Sequence, residues 1–134
     1  MPHGPILCVD DEPNNLALFR QILGDDHRLV FARDGEQALR AAEKHAPSLV
    51  LLDVEMPGMD GYEVAWALKA HPSTEHIPII FVTAMTSQDA RIKGMDLGAV
   101  DFITKPVDPD VLKPRVRNFM RYVEMRRQMQ AEVD

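Results

Sequence analysis

Asp10 and Asp11 close the apolar run Ile6-Leu7-Cys8-Val9, and Asp53 closes Leu49-Val50-Leu51-Leu52. Thr83 closes Ile79-Ile80-Phe81-Val82, and Lys105 follows Phe102-Ile103-Thr104. An acid pair, a lone acid, a hydroxyl and an amine are the parts needed to hold a hard cation and handle an anionic group. Three carboxylates crowded together repel one another, and a divalent cation among them removes that repulsion. A carboxylate with a reference pKa of ~3.9 is ionised at neutral pH, so Asp53 can act as a nucleophile toward phosphorus. A lysine is a point charge on a flexible stem, suited to a ligand whose shape changes. Plainer roles exist for each residue taken singly: Asp10-Asp11 ahead of Pro13 could merely favour a helix N-terminus, and Asp53 could be a helix cap. Taken together, their shared position at the ends of apolar runs favours chemistry.

Short apolar runs bounded by Gly and Pro, alternating with helical patterns, read as buried parallel strands. Five strand-then-helix units can be traced. Pro13 suits an early helical position, with Leu16, Phe19 and Leu23 at helical spacing after it. A second strand covers Arg28 to Ala32. Asp34 with Gln37, and Asp60 with Glu63, are capping boxes opening helices over Ala38, Leu39 and Ala42 and over Val64 and Leu68. Pro57-Gly58 marks a turn between the third strand and its helix. A helix from about Asp89 should stop at Gly98, a left-handed C-cap. The fifth strand spans Asp101 to Thr104, and a last helix from Asp108-Pro109 carries Leu112, Val116, Phe119 and Val123 inward. Pro114 removes one backbone bond there and predicts a kink or a late start. Five such units with short loops give an α/β fold: a doubly wound five-stranded parallel sheet in the flavodoxin-like order 2-1-3-4-5, helices on both faces. In such a sheet the carboxyl ends of the strands share one edge, so the five polar residues converge there.

The segments Val9-Asp10-Asp11-Glu12-Pro13, Leu52-Asp53-Val54-Glu55-Met56-Pro57-Gly58-Met59-Asp60-Gly61 and Asp101-Phe102-Ile103-Thr104-Lys105-Pro106 resemble the receiver domain of two-component response regulators, in the family's order. The resemblance runs from about Pro5 to Val123. It implies a receiver domain over residues 1–123, with 124–134 a C-terminal helical extension or linker. It implies Asp53 as phosphoacceptor and Mg²⁺ (with Mn²⁺ as the alternative) held by the Asp11 and Asp53 side chains and the Glu55 backbone carbonyl, Asp10 acting mainly through water. Lys105 would neutralise Asp53 before phosphorylation and the phosphoryl oxygens after it, and the Lys105-Pro106 bond would be cis. Thr83 would donate its hydroxyl to a phosphoryl oxygen and move toward it, while Phe102, at the aromatic switch position, turns inward. Glu55 and Met85 would tune the lifetime of the acyl phosphate. The implied partners are a sensor histidine kinase or histidine phosphotransfer protein, an output domain or partner protein, and a second copy in a homodimer.

Composition limits the alternatives. At 134 residues, with 46% apolar and 27% charged residues, the chain suits one globular domain. A net charge of −6 argues against direct nucleic-acid binding. Cys8 has no internal partner and reads as a small core residue in a reducing compartment. No run approaches membrane-spanning length and Met-Pro-His-Gly-Pro lacks a signal-peptide pattern, so the expected location is the cytoplasm, away from the membrane. His3, His27, His45, His71 and His76 have no metal spacing, and neither GxGxxG nor a P-loop occurs. Met56, Met59, Met85, Met95, Met120, Met125 and Met129 read as packing residues, and Trp66 as the outer side of its helix.

Two rival functions remain at this level. An aspartyl-phosphate hydrolase of the haloacid dehalogenase type would use Asp53-Val54-Glu55, but Met56-Pro57 follows and the acid pair comes earlier in the chain. A degenerate receiver would serve only as an unmodified docking module, which the complete set of pocket residues opposes. The Asp-Asp-Glu-Pro-Asn-Asn opening and the basic tail resemble receivers fused to cyclic-di-GMP enzymes.

Overall fold

The computed structural model describes residues 4–133, with side chains through Met129. His3 and the outermost ends of the two expected segments, residues 1–3 and 134, lie outside the described residues. Ten elements alternate without exception: β1 (Ile6–Val9), α1 (Pro13–Leu23), β2 (Leu29–Ala32), α2 (Gly35–His45), β3 (Leu49–Leu52), α3 (Gly61–Ala70), β4 (Ile79–Thr83), α4 (Gln88–Asp96), β5 (Asp101–Thr104) and α5 (Pro109–Val133). All strand pairs are parallel and the sheet order is β2-β1-β3-β4-β5, as the sequence predicts.

β1, β3 and β4 are buried along their whole length, which is why their sequences are continuous apolar runs and not alternating ones. Alternation survives as a division between faces. Val50 and Leu52 of β3 join Val64, Leu68 and Phe81 on one face. Leu49 and Leu51 join Phe19, Leu112 and Val116 on the other. Burying an aliphatic side chain of this size contributes about 1.5–3 kcal/mol, so the sheet is a rigid base for anything at its edge.

Local chemistry sets the helix ends. Asp34 and Asp60 each accept a hydrogen bond from the third helical residue, Gln37 N–H at 2.8 Å and Glu63 N–H at 2.9 Å. Gln37 returns its side-chain oxygen to Arg33 N–H, one residue outside the expected box. Ser87, with its oxygen accepting from Ala90 N–H, caps α4, which starts at Gln88, one residue before the expected Asp89. α4 ends in a Schellman arrangement: Gly98 has φ +88°, its N–H reaches Met95 O, and Ala99 N–H reaches Gly94 O.

α5 departs from expectation twice. It starts at Pro109 with Asp108 as its cap and runs through Pro114, so the late start does not occur. The missing Pro114 N–H deprives only the exposed first turn, near Asp110, where water can satisfy the carbonyl. Its core stripe is Leu112, Val116 and Met120 at four-residue spacing, while Phe119 and Val123 are half-buried at the margin. Met56 and Met120 are buried and Met59 packs against the core, but Met85, Met95, Met125 and Met129 are exposed, which corrects the packing role expected for those four. Trp66 is exposed on α3, as expected. No helix among the described residues is long and apolar enough to cross a membrane.

Candidate functional site

β1 and β3 are neighbours in register, Val9 opposite Leu52, so the next residues Asp10 and Asp53 emerge side by side. Backbone bonds fix the exits: Asp53 N–H donates to Val9 O at 3.0 Å and Asp10 N–H to Ala32 O at 3.1 Å. Asp10, Asp11 and Asp53 each bring a carboxylate oxygen within 4.8 Å of the others. Asp10 and Asp53 are buried; Asp11 is half-buried and closes the mouth. A cluster of hard oxygen donors at this spacing, two of them out of water, fits a small divalent cation of the Mg²⁺ class.

Lys105 reaches the cluster from the end of β5. Its Nζ lies 2.7 Å from Asp10 Oδ2 and 3.3 Å from Asp53 Oδ2. Asp53 was the expected partner, yet Asp10 holds the shorter contact because it is the more deeply buried acid and the ammonium is shared between two charges. The remaining oxygens are tied locally, Asp10 Oδ1 by Glu12 N–H at 3.0 Å and Asp53 Oδ1 by Glu55 N–H at 3.3 Å. The Lys105-Pro106 bond is cis, and Lys105 N–H donates to Thr83 O at 3.0 Å, which joins the β4 and β5 ends.

The electrostatics reflect this crowding. Burial pushes the Asp53 carboxyl up to about 6 and the Asp10 charge adds to the rise, with Lys105 and the Glu55 N–H opposing it. Burial alone would lower Lys105, but its hydrogen bond to Asp10 and the charges of Asp53 and Asp10 hold it above its ordinary value. The ammonium therefore stays charged at neutral pH.

Thr83 is buried, and its hydroxyl accepts from Met85 N–H at 3.1 Å, pinning the loop that leads to α4. Phe102 lies inward already, only 8% exposed, its ring 5.3 Å from that of Phe81. Sequence reasoning expected it to turn inward only after phosphorylation; the inward position is filled in this structure because α4 offers it a slot. Phe81 in turn meets Tyr62 of α3 edge-on at 5.5 Å, and the Tyr62 hydroxyl donates to Ala90 O at 3.2 Å. Neither Tyr62 nor Gly94 of α4 is among the site residues expected from sequence. A Gly inside a helical pattern is the available signal for the second, since it weakens the helix unless space demands it. Glu55 is exposed, with its backbone at the site.

Comparison with known proteins agrees with this geometry. The family model described as the response regulator receiver domain matches residues 6–117. A "Probable cyclic di-GMP phosphodiesterase" of Vibrio cholerae serotype O1 is 44% identical over 116 residues, covering 87% of this chain and 26% of that protein. The response regulator PleD of Caulobacter vibrioides is 42% identical over 118 residues, again 87% of this chain and 26% of the relative. The chain thus spans about a quarter of the length of these relatives. Among solved structures, the chemotaxis protein CheY4 of Vibrio cholerae superposes with a TM-score of 0.82 at 28% identity, covering 88% of this chain and 99% of that one. With strand order and acid cluster in place, the chain belongs to the receiver domains of two-component response regulators.

Proposed function

We propose that this receiver accepts a phosphoryl group on Asp53 from the phosphohistidine of a sensor kinase or of a histidine phosphotransfer protein, and passes the change in its surface to an output domain or partner protein. The observation that carries this reading is the meeting of a buried Asp53 with the Lys105 ammonium at 3.3 Å and with Asp10 and Asp11 within 4.8 Å. An Asp53 oxygen attacks phosphorus, the phosphorus–nitrogen bond to the donor imidazole breaks, and the imidazole keeps that electron pair and takes a proton. Lys105 leaves Asp53 for the incoming phosphoryl oxygens while Asp10 retains part of its charge. Thr83, whose hydroxyl oxygen accepts from Met85 N–H, donates its hydroxyl proton to a phosphoryl oxygen. Mg²⁺, or Mn²⁺ in its stead, bound by Asp11, Asp53 and the Glu55 carbonyl with Asp10 through water, would neutralise charge between carboxylate and phosphoryl group. The chain is in this reading a phosphoacceptor that assists its own phosphorylation and dephosphorylation, not an enzyme acting on a separate substrate.

In this reading the output would lie outside the receiver fold, as the chain's span of about a quarter of these relatives' length suggests. A cyclic-di-GMP enzyme fits, since one relative is a probable cyclic di-GMP phosphodiesterase and the Asp-Asp-Glu-Pro-Asn-Asn opening points the same way. Residues 124–134 would then serve as the linking helix and as a contact between two copies. A cytoplasmic location goes with this kinase partnership.

Acetyl phosphate with Mg²⁺ tests the acceptor. Intact mass should show one phosphoryl group, lost with hydroxylamine, and none on Asp53→Asn; full labelling of that variant would overturn the assignment. Turnover of a simple phosphomonoester would favour the hydrolase instead.

A further inference from the structure

α4 is weakly built. Of its nine residues only Ala90 and Gly94 are buried, while Ile92 and Met95 are 51% and 53% exposed. A helix without an apolar stripe needs specific contacts to stay seated on a sheet. Two are present. Tyr62 holds the first turn through its bond to Ala90 O, and Lys93 Nζ lies 4.5 Å from the centre of the same ring.

The second contact is at Gly94, where the helix backbone rests directly on the Phe102 ring. A Cβ added at Gly94 would lie 2.3 Å from Phe102 Cζ, 2.6 Å from Cε2 and 3.1 Å from Phe81 Cδ2. Carbon atoms in contact prefer about 3.5–4.0 Å, so a methyl group cannot share this space with the ring. Backbone conformation does not explain the glycine: the positive-φ glycines are Gly58 and Gly98, and Gly94 is an ordinary helical residue. A mid-helix glycine weakens a helix relative to alanine, and here it leaves room for one aromatic ring.

We propose that Gly94 is a positioning residue of the switch: the side chain it lacks is the slot that holds Phe102 inward, so the seat of α4 and the rotamer of Phe102 change together. An outward Phe102 takes away the ring on which Gly94 rests, and the Tyr62 contacts then hold only the first turn of α4. An α4 lifted from the sheet frees Phe102 to turn. Because Lys105 N–H is bonded to Thr83 O, the strand end that carries Phe102 is tied to the Asp53 pocket. The functional half of this inference rests on the phosphoacceptor reading; the steric half does not.

A double-mutant cycle separates the two. With Phe102 present, Gly94→Ala should lower the urea midpoint and abolish nuclear Overhauser contacts between the Phe102 and Phe81 rings. In Phe102→Ala, the same Gly94→Ala change should raise the midpoint, because the methyl group enters vacated space and alanine favours the helix. Should Gly94→Ala alone fail to fold, folding of the double variant is the same result in stronger form. Beryllofluoride, a phosphoryl mimic, should bind Gly94→Ala about tenfold more weakly than the parent, a loss of about 1.4 kcal/mol, with less than about a twofold effect of the change in Phe102→Ala. A raised midpoint in both backgrounds with the ring contacts intact would overturn the slot. A displaced ring with unchanged beryllofluoride affinity would overturn its positioning role. Absence of beryllofluoride binding by the parent would instead count against the phosphoacceptor reading, leaving the stability cycle to decide the slot.

Discussion

The Lys105 ammonium lies 2.7 Å from the Asp10 carboxylate and so ties the end of β5 to the end of β1 over two intervening strands. Asp10 is fully buried, and a buried acid stripped of its cation is costly: breaking such a pair from one side costs about 3–5 kcal/mol. Lys105→Met should therefore destabilise the metal-free protein at pH 7 by about 3 kcal/mol, toward the low end because Lys105 is partly exposed. Saturating Mg²⁺ should return much of the loss, since the cation replaces the missing charge. Urea unfolding with EDTA and with Mg²⁺ measures both; equal destabilisation in the two conditions would mean that the acids do not share a cation.

Asp53 gives a prediction of the opposite sign. Its carboxyl is held above the ordinary value of 3.8, at about 6, so between these limits the folded protein binds a proton that the unfolded chain releases. Stability must then fall as pH rises through that window, with the full penalty above about 6 and none below the unfolded value. Asp53→Asn should stabilise the metal-free protein by about 1–3 kcal/mol at pH 7.5 and leave it unchanged near the bottom of the window. Thermal unfolding across pH, parent against variant, checks the sign. A gain independent of pH would show that packing, not charge, is responsible.

These two residues also show what the sequence could and could not convey. Runs such as Leu49–Leu52 ending in Asp53 announce both a buried strand and where its chemistry emerges, because a parallel strand covered on two faces has no polar positions until it leaves the sheet. Asp34 and Asp60 announce helix starts through a bond spanning three residues, which local sequence contains in full. The sharing of Lys105 between Asp10 and Asp53 depends on how far one flexible stem reaches across four strand ends, and no local pattern encodes that distance. The inward Phe102 depends likewise on a void at Gly94, eight residues earlier in the chain and on another element. The α5 stripe differs from expectation for a geometric reason: Phe119 and Val123 are as apolar as Met120, but the helix passes the margin of the sheet there, so Met120 is buried while Phe119 packs on the core only in part and Val123 is half-buried.

Cation binding should depend on Asp11 more than on Asp10. Asp10 already has a ring of partners, Lys105 and the Glu12 N–H, whereas Asp11 stands half-exposed at the mouth with an oxygen within 4.8 Å of both other acids. Asp11→Ala should weaken Mg²⁺ by about tenfold or more, about 1.4 kcal/mol at the least. Titration followed by amide shifts of residues flanking Asp53 measures it. An unchanged midpoint would show that the site uses other ligands.

The last prediction concerns the far end of α5. The helix crosses Val123 without a break, and beyond the core stripe it presents Tyr122, Met125 and Met129, which are 51%, 55% and 63% exposed. Their spacing of three and then four residues places them on one helical face, the pattern of a seam between two helices. Arg126 lies over the Tyr122 ring at 5.9 Å and flanks that face with charge, as residues beside such a seam commonly do. One receiver core has no use for an apolar face pointing away from it. A second copy of the same helix could cover the face symmetrically, each methionine meeting its counterpart. The full chain should therefore self-associate in sedimentation velocity, more strongly with beryllofluoride, while a chain ending at Val123 stays monomeric under both conditions. Met125→Lys together with Met129→Lys should abolish association and leave the urea midpoint within about 0.5 kcal/mol of the parent, because neither side chain is buried in the single chain. If full and shortened chains are both monomeric with and without beryllofluoride, the helix is not a dimer contact.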